Sequence, residues 1–320
     1  EGKTHYRDAI IKACSGAKLP SAKSLKSLHY AHTVCDQFPS IDNFLFQPKL
    51  QKAYHARLLA NPAVTDKFLT SLSPLDKKGA CFQVLYRLWI LSEKRIKSYP
   101  NLAVAFAVVW DGYDYEKDAL KDAFDYYIRN SRRMRFSVKS MPVAVLKHVV
   151  DLQRPISERK WALKRCGSSS NVGRLYYQVK YDIRAYTRGS QVKVRDLDYT
   201  LENIRRKGGV CHDRAVFAAG CGKSIGVPTV YISGSVDDGV GHAWVGFLRK
   251  RGAKYLWDRD TGRIGNDRDS TGVITDPQTG YRVSERELDF ALAALRYSYA
   301  KRREAVTWRD VAAILAKGDM

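Results

Sequence analysis

Between residues 208 and 258 the hydrophobic period of the chain changes from that of a helix to that of a strand, and this change constrains the fold most. Gly208-Gly209 interrupt whatever precedes them, and from Cys211 to about Ile225 the chain reads as a helix. Val210, Ala215, Val216, Phe217, Ala218, Ala219 and Ile225 supply its apolar content. Further on, Ala243, Val245 and Phe247 alternate with His242, Trp244 and Gly246, which is the two-residue repeat of a strand. Arg249-Lys250-Arg251-Gly252 is a turn signal, and Tyr255-Leu256-Trp257 resumes strand character. The pattern predicts a helix followed by an antiparallel hairpin, an α+β arrangement.

Three reactive side chains lie on these elements. Cys211 falls in the first turn of the helix, where unpaired backbone N–H groups and the positive dipole end favour a thiolate. The backbone N–H of Cys211 is also placed to serve as an oxyanion donor. Asp213 suits a first turn, though its charge opposes thiolate formation. A hairpin register centred on Lys250 sets His242 opposite Asp258, at a Cβ separation of about 4.5–5.5 Å. In that register the carboxylate orients the imidazole, as in a nucleophile–base–acid triad. A one-residue slip puts Asp258 on the other face and leaves Asp260 as the nearest substitute.

The order Cys211, His242, Asp258 is similar to that of the transglutaminase-like branch of the papain-fold superfamily. The settings Gly-Gly-Val-Cys-His-Asp, Gly-His-Ala-Trp-Val and Lys-Tyr-Leu-Trp-Asp carry the resemblance. It covers about Tyr199 to Gly280, within a core expected at about 199–283, and is strongest from Gly208 to Arg263. Ile225 to Gly234 looks like the family's helix exit and following strand. The resemblance implies a papain-like core, with a nucleophile helix packed on a small antiparallel sheet. It further implies attack by Cys211 on an amide carbonyl to give a thioester, with His242 as proton carrier and Asp258 orienting it. Transfer to water makes a cysteine peptidase or amidase, including a deglycosylating amidase. Transfer to an amine makes a transglutaminase. Relatives often take a second oxyanion donor from an upstream aromatic or amide residue, and Gln178, Tyr181, Tyr199 and Asn203 are the candidates here. Trp244, Arg205 and Arg206 are candidate substrate-binding residues, the two arginines because they directly precede the Cys loop.

Other patterns carry less. Gly220-Cys221-Gly222-Lys223-Ser224 resembles the end of a phosphate-binding loop, but Phe217 stands where that pattern requires glycine. The two glycines are read instead as allowing close helix packing or ending the helix. Asp258, Asp260, Asp267, Asp269 and Asp276 read as surface turns without the full ligand set of a calcium loop. The six cysteines (14, 35, 81, 166, 211 and 221) are scattered and lack zinc-site spacing. Neither a metal nor a cofactor is therefore expected. His212 is expected to point away from the Cys211 face.

With 55 basic and 33 acidic residues, the formal charge is +22, spread over short clusters. Such a charge favours anionic partners. No nucleic-acid motif accompanies the clusters, so a protein or peptide amide substrate, acidic in character, is preferred over nucleic acid. The longest uncharged apolar run, Leu102 to Trp110, is too short to span a bilayer. Glu1 is not an initiator, so the chain is read as processed or trimmed, and a secreted or periplasmic setting is compatible with it.

The remaining 320-residue organisation follows from periodicity. A helical domain is expected over residues 1–153, with helices near 53–59, 62–72, 75–96, 101–110, 115–129 and 141–152. The transglutaminase-like domain is expected over 154–320. It would include helices at 158–165 and 175–185, short strands at 271–283 around an Asp-Pro-Gln-Thr-Gly turn, and C-terminal helices at 284–297 and 307–317. Two functions result: an acyl-transfer enzyme, or a non-catalytic module of the same fold recognising an acidic partner.

Overall fold

The computed structural model describes residues 2–15, 20–21, 25–26, 28–33, 53–54, 56–58, 60–73, 75–76, 79–112, 117–169, 171–235, 241–252, 254–263, 272–295 and 299–318. Its architecture is α+β, with many helices and one curled antiparallel sheet of five strands. The chain divides into two compact units. One comprises Glu1–Tyr113 and Leu295–Met320; the other comprises Asp114–Ala294. This differs from the expected boundary at residue 153, because contacts between distant segments, not composition, decide membership.

The first unit contains α1 (Gly2–Cys14), α2 (Pro62–Ser71), α3 (Ala80–Leu91), α4 (Glu93–Ser98) and α5 (Pro100–Val109). The periodicity of 75–96 continues through Ser92, but the backbone does not. Ser92 is extended and accepts a hydrogen bond from the Arg95 N–H, ending one helix and capping the next. Helix α5 is buried from Leu102 to Val109 and packs against α2 and α3. The last helix, numbered below in chain order, returns to α1 and α2 and buries Val311 and Ile314 with Ile10 and Leu25. It therefore belongs with the N-terminal helices and not, as expected, with the second domain. Within it Arg303 donates to His29 Nδ1 at 2.9 Å, so His29 Nε2 carries the proton facing Asp310 Oδ2 at 2.8 Å.

The second unit holds α6 (Lys117–Arg129), α7 (Val143–Val150), α8 (Ile156–Cys166), α9 (Gly173–Tyr176), α10 (Ile183–Arg188), α11 (Leu201–Lys207) and α12 (Cys211–Ser224). The strands β1 (Thr229–Ser235), β2 (Gly241–Arg251), β3 (Lys254–Asp258), β4 (Val273–Thr275) and β5 (Arg282–Ser284) follow. They are succeeded by α13 (Glu287–Ala294), and α14 (Tyr299–Gly318) is the last helix described above. The strand order is β3-β2-β1-β4-β5, antiparallel throughout. Helices α6 and α7 were expected in the N-terminal domain but pack here. The Tyr126 hydroxyl on α6 lies between the carbonyls of Arg159 (2.9 Å) and Ser224 (2.8 Å), tying α6 to both α8 and α12.

Helix α12 is the pivot of this unit, packing on β1, β2, α8, α9 and α11. Its contact face is made of small residues. A Cβ on Gly220 would lie 2.8 Å from Leu201 Cδ2, and one on Gly222 would lie 2.3 Å from Thr229 Oγ1. Close packing therefore accounts for the glycines that resemble a phosphate loop. At the far end of the sheet, Asp276 accepts the N–H groups of Gln278 (2.9 Å) and Thr279 (3.1 Å), and Gly280 adopts φ 73°. That is the expected Asp-Pro-Gln-Thr-Gly turn between two short strands.

Replacing Gly222 with Ala forces a methyl into the Thr229 hydroxyl, which is itself bonded to Val227 O. Overpacking of this kind costs about 1–3 kcal/mol. Urea unfolding followed by tryptophan fluorescence will show an earlier midpoint for Gly222→Ala; an unchanged midpoint would mean that α12 does not sit tightly on β1.

Candidate active site

The loop ahead of α12 is held on both sides. Gly208 ends α11 with φ 81°, and a Cβ there would lie 2.5 Å from Lys180 O. Gly209 donates to Lys180 O (3.0 Å) and accepts from Asp182 N–H (2.9 Å), so the Lys180–Asp182 segment runs parallel to it as a single bridge. Residues 175–185, expected as one helix, are therefore broken into α9 and α10, and the break places Tyr181 beside the loop. Asp213 is fully buried and caps α12 through the Val210 N–H at 2.9 Å.

Half-buried Cys211 begins this helix. Its thiol hydrogen-bonds the His242 ring, and the backbone N–H groups of Ala243 and His212 also point to the sulfur. Burial works against the thiolate, yet the His242 hydrogen bond, the Ala243 N–H and the imidazolium charge outweigh it and hold the thiol below its ordinary range. His242 shows the reciprocal shift. Burial lowers it, but the bonds to Cys211 and to Gly262 O raise it above the ordinary imidazole range. His242 Nε2 lies 2.6 Å from Gly262 O. A carbonyl only accepts, so Nε2 carries a proton and Nδ1 is left to face the thiol.

Asp258 is not the third member of this arrangement. In the observed register Phe247 is opposite Asp258 and Arg251 opposite Lys254, so the hairpin turns at Gly252, with φ 59°. Arg249, Lys250 and Arg251, read as the turn, belong to the strand, and the shift carries Asp258 five residues along β2 from His242. Its carboxylate pairs instead with Arg249 at 3.0 Å. Asp260 does not replace it; the orienting acceptor is the backbone of Gly262. That carbonyl is aimed by close packing, since Gly262 has φ 87° and a Cβ there would lie 2.6 Å from Tyr176 Cζ. Tyr176 donates its hydroxyl to Ala243 O at 3.0 Å, so one side chain positions both the Gly262 carbonyl and the strand beside Cys211.

Among the candidate oxyanion donors, only Tyr181 lies near the nucleophile. Burial and the neighbouring Cys211 charge raise its phenol, and its hydroxyl makes no hydrogen bond among the described residues. Tyr199 is committed to Asp213 Oδ1 at 2.6 Å. Asn203, half-buried on α11, bonds Asp198 O at 2.9 Å, and Gln178 is exposed in the turn after α9. Of the three substrate-binding candidates, only Arg206 is exposed. Trp244 is only 1% exposed, stacked 5.9 Å from the His242 ring, with the Arg263 guanidinium 4.7 Å from its ring centroid. Arg206 is exposed and bonds Asn203, whereas Arg205 acts on the buried Cys166 and Cys221 sulfurs, which lie 3.4 Å apart.

Sequence reasoning missed several neighbours. Tyr231 on β1 lies within electrostatic reach of Cys211 and meets His212 Nδ1 at 3.1 Å, so His212 is half-buried at the site's edge. Arg214, one turn beyond Cys211, lies over the rings of Tyr181 (4.9 Å), Tyr176 (5.6 Å) and Tyr177 (5.9 Å). The density of tyrosines at 176, 177, 181 and 186 was the available signal. Elsewhere, Asp76, Cys81 and Asp111 place ligand-type atoms within 4.8 Å of one another. There the Cys81 thiol donates to Asp111 at 3.2 Å, and burial raises it well above its ordinary range. No helix among the described residues is long and apolar enough to cross a membrane. Comparison with known proteins finds no matching family model, no similar curated protein and no similar solved structure.

The sign of the coupled shifts fixes a pH dependence. Thiolate appears as pH rises through the lowered Cys211 value, and the imidazolium persists until pH passes the raised His242 value. The two shifts move the titrations toward each other and favour thiolate beside imidazolium, so iodoacetamide should label Cys211 below the ordinary thiol range. His242→Ala should slow this labelling about tenfold or more near neutrality, each pKa unit being worth about a factor of ten in thiolate. Asp258→Ala should leave it within about twofold, since exposed pairs such as Asp258–Arg249 contribute little. Peptide mass spectrometry resolves the rates, and loss of reactivity in Asp258→Ala would restore the carboxylate to the site.

Proposed function

We propose that this chain catalyses thiol-dependent acyl transfer on amide bonds, as a cysteine peptidase or amidase of transglutaminase-like, papain-like type. The observation that carries the reading is the hydrogen-bonded Cys211–His242 pair, with the thiol lowered, the imidazole raised and the ring fixed by Gly262 O. The order of residues in the sequence and a nucleophile helix packed on an antiparallel sheet support the family assignment.

In this mechanism the Cys211 thiolate attacks an amide carbonyl, and charge moves onto the carbonyl oxygen. The Cys211 backbone N–H, unspent in the first turn, and the Tyr181 hydroxyl stabilise that oxyanion. His242 delivers its Nδ1 proton to the departing amine, leaving a thioester on Cys211. It then takes a proton from water, and hydrolysis releases the acid; an amine in place of water completes a transamidation. A neutral carbonyl suffices to orient His242 because the thiolate itself supplies the anion beside the imidazolium. The second reading, a non-catalytic module for acidic partners, draws on the formal charge of +22.

The test is to trap the acyl-enzyme. Incubation with an activated peptide ester and acid quenching should give an acyl mass on the Cys211 peptide, released by hydroxylamine and absent in Cys211→Ser. Tyr181→Phe should lower acylation about 10²–10³-fold, the loss typical of one oxyanion donor, while iodoacetamide labelling stays unchanged. Normal alkylation without any acyl adduct would remove acyl transfer and leave the binding module.

A further inference from the structure

A base oriented by a backbone carbonyl is only as well placed as the loop that carries the carbonyl. Gly262 has no side chain to anchor it and adopts φ 87°, so its neighbours hold it. Upstream, Thr261 O accepts the Val245 N–H at 3.3 Å, and its side chain fills the space beside Gly173, where a Cβ would lie 2.5 Å from Thr261 Oγ1. Downstream, Arg263 forms an ion pair with Glu285, the two side chains being only 14% and 5% exposed. The same guanidinium lies 4.7 Å from the Trp244 ring centroid, and Trp244 stacks on His242 at 5.9 Å. Arg263 therefore bears on both supports of the imidazole: the carbonyl that receives its proton and the ring on which it stacks.

Glu285 is itself fixed by contacts outside the site. It lies in the turn between β5 and α13, where its N–H donates to Gly272 O at 2.9 Å. Its carbonyl accepts from Arg259 at 3.3 Å, and Arg259 also pairs with Asp289 of α13 at 2.7 Å. The carboxylate reaches the edge of the site, since a Cβ on Gly272 would lie 3.0 Å from Glu285 Oε2 and 2.5 Å from Trp244 Cζ2. Oε2 is buried and has no hydrogen-bond partner among the described residues, so Arg263 is the principal return for placing this charge out of water. Removing one member of such a pair leaves the other charge uncompensated, whereas replacing both with apolar side chains is often neutral for stability.

We infer that Glu285 is a positioning residue for the Cys211 centre: by fixing Arg263 it holds the Gly262 carbonyl and the Trp244 ring against His242. The inference rests on the Cys211–His242 pair of the acyl-transfer reading and adds to it a residue that acts through Arg263. Loosening the carbonyl weakens a bond that raises His242, so the imidazolium is lost at lower pH and the thiolate forms at higher pH. The other groups near Cys211 leave this signal clear. Burial pushes the Tyr176, Tyr181 and Tyr231 phenols up and His212 down, while Asp213 is paired with Arg195 and Arg214 lies over the tyrosine rings.

The experiment separates positioning from stability. On the full chain, Glu285→Gln should lower the urea midpoint and slow iodoacetamide labelling of Cys211 near neutrality, and Glu285→Asp should recover part of both. The decisive variant is Arg263→Met/Glu285→Leu, which removes the two charges together. Its urea midpoint should return toward that of the wild type, while the onset of labelling stays displaced to higher pH, with about a tenfold slower rate for each pKa unit of displacement. In ring ¹⁵N spectra of histidine-labelled protein, the His242 signal, assigned by its absence from His242→Ala, should show a protonated Nε2 in the wild type and a mixture of tautomers in the double variant. Labelling that recovers together with the midpoint, or that never slows, overturns the inference and leaves Cys211 reactivity, and so the acyl-transfer reading, intact. An unchanged His242 tautomer in the double variant also overturns it. If Cys211 is unreactive in the wild type the acyl-transfer reading falls, yet the ring spectra still decide whether the Arg263–Glu285 pair positions His242.

Discussion

The packing of α12 against β1 and β2 is the contact on which the site depends. A thiol and an imidazole more than thirty residues apart become a pair only if the first turn of that helix is pressed onto the start of β2. Small residues permit this approach. Gly222 leaves no room for a methyl beside Thr229, and Gly220 leaves none beside Leu201. On its other side α12 is buried against α8, where Phe217 meets Trp161 and Cys221 meets Cys166, and this apolar burial contributes to the driving force that holds the helix in place. The meeting of Cys211 and His242 is thus a consequence of core packing, with Cys211 at the start of a helix that is buried from Phe217 to Ser224.

Residue order and local period made much of this legible. Apolar content marked α12, two-residue alternation marked β2, and Asp276 with Gly280 marked the turn between β4 and β5. Those signals are local, and so they survive without knowledge of partners. The hairpin register is not local in that sense. Three consecutive cations at 249–251 look like a turn, but an exposed strand extension solvates them equally well, while Gly252 meets the need for positive φ. One wrong turn position was enough to make Asp258 seem opposite His242. The Gly262 carbonyl had no signal of its own, because a backbone acceptor can belong to any residue type.

The same distinction explains the domain boundary. Helices α6 and α7 resemble their N-terminal neighbours in composition, and nothing in their periodicity announces that Tyr126 will reach the carbonyls of Arg159 and Ser224. Nor does the last helix carry a mark of its pairing with α1 and α2. Helical period identifies which face is buried and is silent on what buries it. The tyrosines at 176, 177 and 181 lay in a segment read as one helix, and a continuous helix would have scattered them around its axis. Breaking that helix to form the bridge to Gly209 gathers them on the nucleophile side.

The charge distribution around Cys211 shows why a lowered thiol is compatible with an acid one turn away. Asp213 is fully buried, and an unscreened carboxylate there would oppose the thiolate. Its oxygens are instead engaged by the Val210 N–H, the Tyr199 hydroxyl at 2.6 Å and the Arg195 guanidinium at 3.4 Å. That charge is directed away from the sulfur and into the cap that sets the helix start. On the other side the sulfur meets the His242 ring and two backbone N–H groups, with no carboxylate among its partners in the described residues. The acid that sequence order assigned to the imidazole is thus absent from the site, and the acid that remains serves the helix. With the Gly262 carbonyl as its orienting partner, the His242 ring is held against the sulfur without the carboxylate at position 258, which pairs with Arg249.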